Sequence, residues 1–481
     1  MKKIYTLLST LLITGAVMAQ APTLVLDIND GSSGSNPRNI IAYDGQLFFT
    51  ADDSSGINSG GTDTGTEPWK SDGTAAGTSI VADIAVGDGE ASNPFNVFIF
   101  NDMLYFTAND GAAELWTSDL TAAGTVKVDL FPEVTGDVPN NAVVLGNTVF
   151  LTANLPSGNN QLSEWDGTND AQVALNSAGN EIITTATELT TYNGLIYGYI
   201  ENSVDEATVG RELYSYDPIS DVYTLVKDIA SGDANSGISG FTVANGLLYF
   251  EAQGNLWQSD GTNTNTIEVP QNDALGMNGV NNIFNFNENI LFEGDNGAGD
   301  QLWNLNTTTG TITQVSSNTG DNPDHDPSDY VVFGDFVYYS AESSSSTDSF
   351  LFRTDGVETV QLDNTIKDVD DITLLDGFLY FEGEDTNTDL GNELYVFNPA
   401  TASISRVERT SVNMYPNPST NGIVNFSGNT VSDNGFEIND LSGRMVLKGN
   451  LQNSQLKHDL KTGIYFVNLE NQDNAFKLIV E

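Results

Sequence analysis

Apolar residues along most of this chain come in short runs separated by polar turns. Nowhere do they take the 3.6-residue spacing of an amphipathic helix. One run recurs: "DGQLFFTA" from Asp44, "NDMLYFTA" from Asn101, "GNTVFLTA" from Gly146 and "NGLIYGYI" from Asn193. It continues as "NGLLYFEA" from Asn245, "NENILFEG" from Asn287, "GDFVYYSA" from Gly334 and "DGFLYFEG" from Asp376. Asp44 to Asp376 is 332 residues over seven intervals, a period of about 47, within the range of propeller repeats.

Each run has a fixed sequel. A second apolar run begins at Glu67, Glu114, Ser163, Glu212, Asn255, Gln301, Phe350 and Glu393. A turn follows, often "SDGT" (Ser71–Thr74, Ser259–Thr262) or "WDGT" (Trp165–Thr168). Asp-Gly between apolar runs predicts a type I′ hairpin turn, which needs positive φ at both central residues. A third run such as "SIVADI" or "VKVDL" comes next, and a fourth, such as "NIIAY" ending at Tyr43, precedes each anchor. The unit is four short strands rich in β-branched and aromatic residues. Radial repetition of such sheets predicts an all-β β-propeller, with eight blades, or seven if the unit around Leu162–Leu175 is irregular. A sandwich array or a solenoid competes, but the period is long for a solenoid coil. A stray strand, "PTLVLDI" from Pro22, matches the third run and suits the role of completing the last blade. "ISRVE" near Ile404 suits the same place, and the choice stays open.

Composition narrows the classes. Net charge is −50, from 16 basic and 66 acidic residues, while 39% of residues are hydrophobic. That is too much apolar material for a disordered acidic chain. An acidic folded surface repels phosphate backbones and anionic lipid heads, which argues against nucleic acid and peripheral membrane binding. With no cysteine, disulfides and thiol chemistry are excluded. The start, "MKK" then "IYTLLSTLLITGAVM", reads as a secretory signal peptide over 1–19, cleaved between Ala19 and Gln20. No later stretch is apolar over the length a membrane helix needs.

Composition shifts near Thr410. Residues 412–481 carry five basic and seven acidic side chains, against nine and 59 over 20–411. Alternation in "IVNFSG", "FEINDL", "RMVLKG", "IYFVNL" and "FKLIVE" predicts a small antiparallel β-sandwich. The expected domains are therefore a propeller over 20–408 and a sandwich over 409–481.

Two resemblances attach to these residues. Glu114-Leu115-Trp116, Asp72-Gly73-Thr74, Gly77-Thr78, Gly124-Thr125 and Asp228-Ile229 resemble the ELWxxDGT repeat family of secreted bacterial proteins. That family implies an extracellular repeat protein and no activity. The tail resembles the type A C-terminal sorting domain of the type IX secretion system of Bacteroidetes. The likeness rests on Tyr415-Pro416-Asn417-Pro418, Gly422, Asp440, Gly443, Arg444, Leu460, Gly463, Ile464, Tyr465 and Lys477. This resemblance implies export across the outer membrane by the secretion machinery and removal of the tail near 405–413 by its sortase. Attachment to surface lipopolysaccharide, or release, would follow.

Catalytic chemistry is thin. The two histidines are His325 and His458, and no metalloprotease, P-loop or serine-elbow motif exists. Glu67, Glu114, Glu212 and Glu393 recur at one repeat position and read as turn or edge acids, since an active site needs one asymmetric constellation. Trp69, Trp116, Trp165, Trp257 and Trp303 recur in register and read as packing between blades. The expected cofactor, if any, is calcium in "DNPDHDPSD", held by Asp321, Asp324, Asp326 and Asp329. The reading is a secreted or surface-displayed, non-catalytic binding protein with a glycan or protein ligand. Its alternative is a polysaccharide-degrading enzyme with a carboxylate pair at the propeller channel.

Overall fold

The computed structural model describes residues 21–155, 160–174, 187–201, 209–270, 275–402, 413–420, 422–427, 435–440, 444–452, 454–469 and 476–480. The signal-peptide reading with Ala19 and Gln20, the 404–408 strand and Gly443 lie outside them. The chain divides into two compact units, Met1–Ala402 and Ser403–Glu481.

The first unit is a β-propeller. Among the described residues it contains eight four-stranded antiparallel sheets. Sheet 1 runs from Arg38–Tyr43 through Gln46–Asp52 and Thr66–Ser71 to Ser79–Ile80. Sheets 2 to 7 repeat this order, with first strands at Phe95–Phe100, Asn140–Leu145, Leu189–Tyr192, Ser239–Ala244, Asn278–Phe286 and Ser328–Phe333. Sheet 8 has Ile366–Leu375, Phe378–Asp385 and Glu393–Phe397, and its fourth strand is Thr23–Leu26. The N-terminal strand therefore completes the last sheet, with Leu24 opposite Tyr395. The first strands touch their neighbours in succession, and that of sheet 8 touches that of sheet 1, so the circle is closed.

Burial follows the circle. Each junction between successive sheets holds its own apolar cluster. Trp69 packs with Val25, Leu375, Tyr380 and Leu394 between sheets 8 and 1, and Trp303 with Tyr249 and Leu256 between sheets 5 and 6. Trp116, Trp165 and Trp257 sit in the junctions of sheets 1 and 2, 2 and 3, and 4 and 5. A two-faced sheet in a ring must bury both sides, which explains why second strands such as Gln46–Asp52 are buried almost throughout.

Three details of local structure differ from the sequence reading. The I′ pairs lie before the second strands: Asp44 and Gly45 have φ 48° and 74°, and Asn245 and Gly246 have 47° and 76°. In "SDGT" only Gly73 is left-handed. There the Asp72 carboxylate accepts the N–H and hydroxyl of Thr74, while Ser71 Oγ accepts Gly73 N–H. A Cβ on Gly77 would run into that same carboxylate, which is why "DGT" and "GT" travel together. The third unit is also slipped. Gln161, not Ser163, pairs with Ala153 as Glu67 pairs with Ala51 and Glu114 with Ala108. Trp165 consequently lies two residues beyond the other tryptophans but on the same face, opposite Val149. The unit is a complete sheet with a displaced motif.

The second unit has a three-stranded and a four-stranded antiparallel sheet, the arrangement of a small sandwich. Val424, Phe426, Phe436, Ile438, Leu456, Val467 and Leu478 fill its core.

Candidate functional site

The recurring acids are neither edge nor turn-surface groups. Glu67 lies on the third strand of sheet 1 and is fully buried. It accepts the N–H groups of Ile84 (3.1 Å), Ala85 (3.1 Å) and Ser92 (3.0 Å), and the Ser92 hydroxyl (2.5 Å). Those donors belong to the linker into sheet 2. Glu212 takes Ile229 N–H and Ala230 N–H in the same way. Glu393 takes Ile28 N–H, Asn29 N–H, Ser35 N–H and Ser35 Oγ, and so closes the ring across more than 350 residues. Burial pushes the Glu393 carboxyl up to about 7, against the pull of its four donors. In sheet 6 the neutral amide of Gln301 takes the acid's place, and its Oε1 accepts Ser316 Oγ–H and Asn318 N–H. His325, in the adjoining linker, is buried with Nδ1 on Glu342 O (2.8 Å) and Nε2 on Tyr339 OH (3.0 Å). Burial holds its imidazole down to about 4, hence neutral. These groups hold linkers in place.

Chemistry with one-sided character lies on the inner strands instead. Among the described residues, seven first strands carry a left-handed residue at a bulge: Asn39, Asn96, Asn141, Gly240, Asn282, Asp329 and Asp371. Asn, Asp and Gly tolerate that conformation, and a bulge re-aims side chains. At the second-strand position paired with each bulge, sheets 1 to 3 have Thr50, Thr107 and Thr152. Sheets 5, 6 and 8 have Glu251, Glu293 and Glu382. The ring is thus acidic on one side. Arg38 reaches into it, with Nη1 3.3 Å from Asp370 and Nη2 3.6 Å from Glu382. Burial pushes Glu293 and Glu382 each up to about 7. Burial, then the neighbouring Asp370 carboxyl, raises Asp329 to about 7. Such a half-ring can take up protons, offer hydrogen bonds from neutral carboxyls, or hold cationic groups.

The four aspartates read as a calcium loop are spread apart. Asp321 is exposed at the loop tip. Asp324 accepts the N–H of Asp300 at 3.2 Å. Asp326 instead joins Glu293 and Asp300, with one oxygen of each within 4.8 Å of the others. Asp329 faces Asp370 on sheet 8. Sequence reasoning missed Glu293, Asp300, Asp370, Asp371 and Glu382. The one available clue was the change from Thr to Glu at a fixed offset inside the repeated run.

The C-terminal motif residues make the sandwich. Asn417 bridges to the last strand, giving Nδ2–H to Lys477 O (2.7 Å) and accepting Ile479 N–H (2.8 Å). The peptides before Pro416 and Pro418 are cis. Gly422 has φ 73°, and a Cβ there would meet His458 O at 2.5 Å. Arg444 binds Asp440 through Nε (3.1 Å) and Nη2 (3.0 Å). Tyr465 gives its hydroxyl to Lys461 O, and Gly463 opens the same strand.

No curated protein matches the chain. Among solved structures it is similar to puromycin hydrolase, at 13% identity and TM-score 0.48, over 76% of this chain and 60% of that one. It therefore spans about 60% of the length of that enzyme. It is similar to PorZ, an essential surface component of the type IX secretion system of Porphyromonas gingivalis, at 14% identity and TM-score 0.39, over 92% and 69%. It is also similar to the β-propeller domain of the trilobed protease of Pyrococcus furiosus, at 12% identity and TM-score 0.41, over 69% and 99%. Residues 413–481 match the secretion system C-terminal sorting domain, and this tail marks the chain as a secreted, cell-surface protein.

Proposed function

We propose that the chain is a non-catalytic surface-binding protein: an eight-bladed propeller of the ELWxxDGT type, exported by the type IX system of a member of the Bacteroidetes and freed of its tail by the sortase. The observation that carries the binding reading is the use of the repeated acids. Glu67, Glu212 and Glu393 are each engaged by buried backbone donors, so three of the four repeated acids serve the fold. The ligand is a glycan or protein that presents cationic or hydrogen-bonding groups to the acidic inner side of sheets 5 to 8. The low net charge and separate core of the tail suit a module recognised apart from its cargo.

One observation favours a second reading, extracellular polysaccharide cleavage. Glu293 and Glu382 are buried carboxyls raised to about 7 on one side of the ring, the tuning a general acid needs. A glycan and protein-array screen of the purified chain, run beside a reducing-sugar release assay, separates the two. The binding reading expects retention on the array, lost in Glu293→Gln with Glu382→Gln, and no release of reducing ends. Release abolished by either single substitution would replace it with the enzyme.

A further inference from the structure

The linkers between sheets share a plan. Each presents a carbonyl to the end of the next sheet's second strand: Ser35 O accepts Asp52 N–H (2.8 Å) and Ser92 O accepts Asn109 N–H (2.9 Å). Asp137 O accepts Asn154 N–H (2.6 Å) and Ser236 O accepts Gln253 N–H (3.0 Å). A left-handed residue follows each time, Asn36, Asn93, Val138 and Gly237. Asp137 is therefore the counterpart of three serines. Ser35 and Ser92 give their hydroxyls to Glu393 and Glu67. Asp137, as a carboxylate, has no proton to give to Glu114.

The consequence is an unbalanced buried pair. Asp137 is 0% exposed, and neither of its carboxylate oxygens has a hydrogen-bond partner. Glu114 is buried as well, and among the described residues it accepts only Gly136 N–H, at 2.9 Å. Leu130 and Phe131 follow Asp129 in the chain as Ile84 and Ala85, which clasp Glu67, follow Asp83; among the described residues neither donates to Glu114. Asp129 adds a third negative charge. The positive charge acting on Asp137 is Lys127, whose ammonium is engaged with Asp110 at 2.7 Å and lies over the Trp116 ring. The linker also holds Val138 at φ 44°, a conformation a β-branched residue rarely takes. A bare carboxylate beside a second acid in a dry interior is unfavourable unless a positive partner is present.

We propose that Asp137 and Glu114 bind a hard divalent cation, calcium by class, in the linker between sheets 2 and 3, in place of the serine hydroxyl that serves the linkers after sheets 8 and 1. Hard cations take carboxylate and peptide oxygens and need no donor from the protein. A proton shared by the pair would serve one Asp137 oxygen and leave the second bare; a cation engages both. Burial, then Glu114 and Asp129, pushes the Asp137 carboxyl up to about 7, as expected for a group lacking a counter-charge. The site is distinct from the acids of sheet 6.

The test is calcium uptake by equilibrium dialysis, and thermal unfolding with calcium or a chelator, on the purified full chain and its Asp137→Ser variant. At about 1 mM calcium, where extracellular modules bind, the wild type should take up about one equivalent more than the variant. Its Tm should rise by about 2–4 °C, a rise absent in the variant. The variant in chelator should unfold no lower than the wild type in chelator, because serine restores the hydroxyl clasp. Glu293→Gln with Asp326→Asn should leave this difference intact. Equal uptake by wild type and Asp137→Ser overturns the proposal. So does a wild type that ignores calcium but loses stability between about pH 6 and 8 in a way Asp137→Ser does not, since that is the mark of a shared proton. If Asp137→Ser does not fold, Asp137→Asn in dialysis must lose the same equivalent.

Discussion

Replacing Glu393 by alanine tests whether the ring is closed by a buried carboxylate. The side chain is 0% exposed and accepts four hydrogen bonds, from Ile28 N–H (3.0 Å), Asn29 N–H (3.3 Å), Ser35 N–H (2.9 Å) and Ser35 Oγ (2.6 Å). Without it, three peptide donors and a hydroxyl lose their acceptor in the junction between sheets 8 and 1. Each orphaned donor costs about 1–3 kcal/mol. Water entering the alanine cavity satisfies part of the set, so the expected loss is about 3–5 kcal/mol. Ser35→Ala removes a single hydroxyl donor to a carboxylate and should cost about 1.5–3 kcal/mol. Glu67→Ala removes the acceptor of the same kinds of donor, three peptide N–H groups and a hydroxyl, within one linker and calibrates the measurement. The assay is urea unfolding followed by tryptophan fluorescence, with Trp69 in the affected junction as reporter. A Glu393→Ala midpoint equivalent to less than about 0.5 kcal/mol of loss, the size of an ordinary surface change, would refute the clasp.

Stability should fall as pH rises from about 5.5 to 8. Folded Glu293, Glu382, Glu393 and Asp329 hold protons up to about 7, above their unfolded values near 4. Their contribution is complete below the unfolded values and is lost as pH passes the folded ones. For the fully buried Glu393 this amounts to about 3 kcal/mol at most, visible by differential scanning calorimetry. A Tm that climbs from pH 5.5 to 8 would contradict it. Gly77→Ala forces a Cβ onto the Asp72 carboxylate and should cost about 1–3 kcal/mol in chemical denaturation. Leu120→Gly relieves a left-handed leucine at the place of Gly73 but empties a buried side chain from the junction of sheets 1 and 2, so it should destabilise by about 1–3 kcal/mol. Residues 413–481 expressed alone should give a folded β domain by circular dichroism, and Gly422→Ala, pressing on His458 O, should unfold it or lower its Tm by several degrees.

The sequence was read correctly where the information is local. A short β-branched and aromatic run such as "LFFTA" between polar turns marks a strand whatever lies across from it, and such a run recurring at one spacing must be buried against its own copies. The stray "TLVL" at Thr23 matched the outermost strand of the repeat, so its role was in view, although its competitor at Ile404 could not be dismissed. The tail was legible because its residues, from Tyr415 to Tyr465, act within a short, separate core.

What the tertiary structure decided are pairings over long separations. Glu67 and Glu393 carry the same motif letters as surface acids would. Only the ring shows that their oxygens meet backbone donors, in one case more than 350 residues away. The slip at Gln161 was hidden because Ser163-Glu164-Trp165 imitates the motif, and pairing register is fixed by the facing strand rather than by the letters. Asp137 looked like one more acid in an acidic linker. Its meaning comes from occupying a serine's place against Glu114 in a buried junction, and burial and charge balance exist only once the sheets are packed.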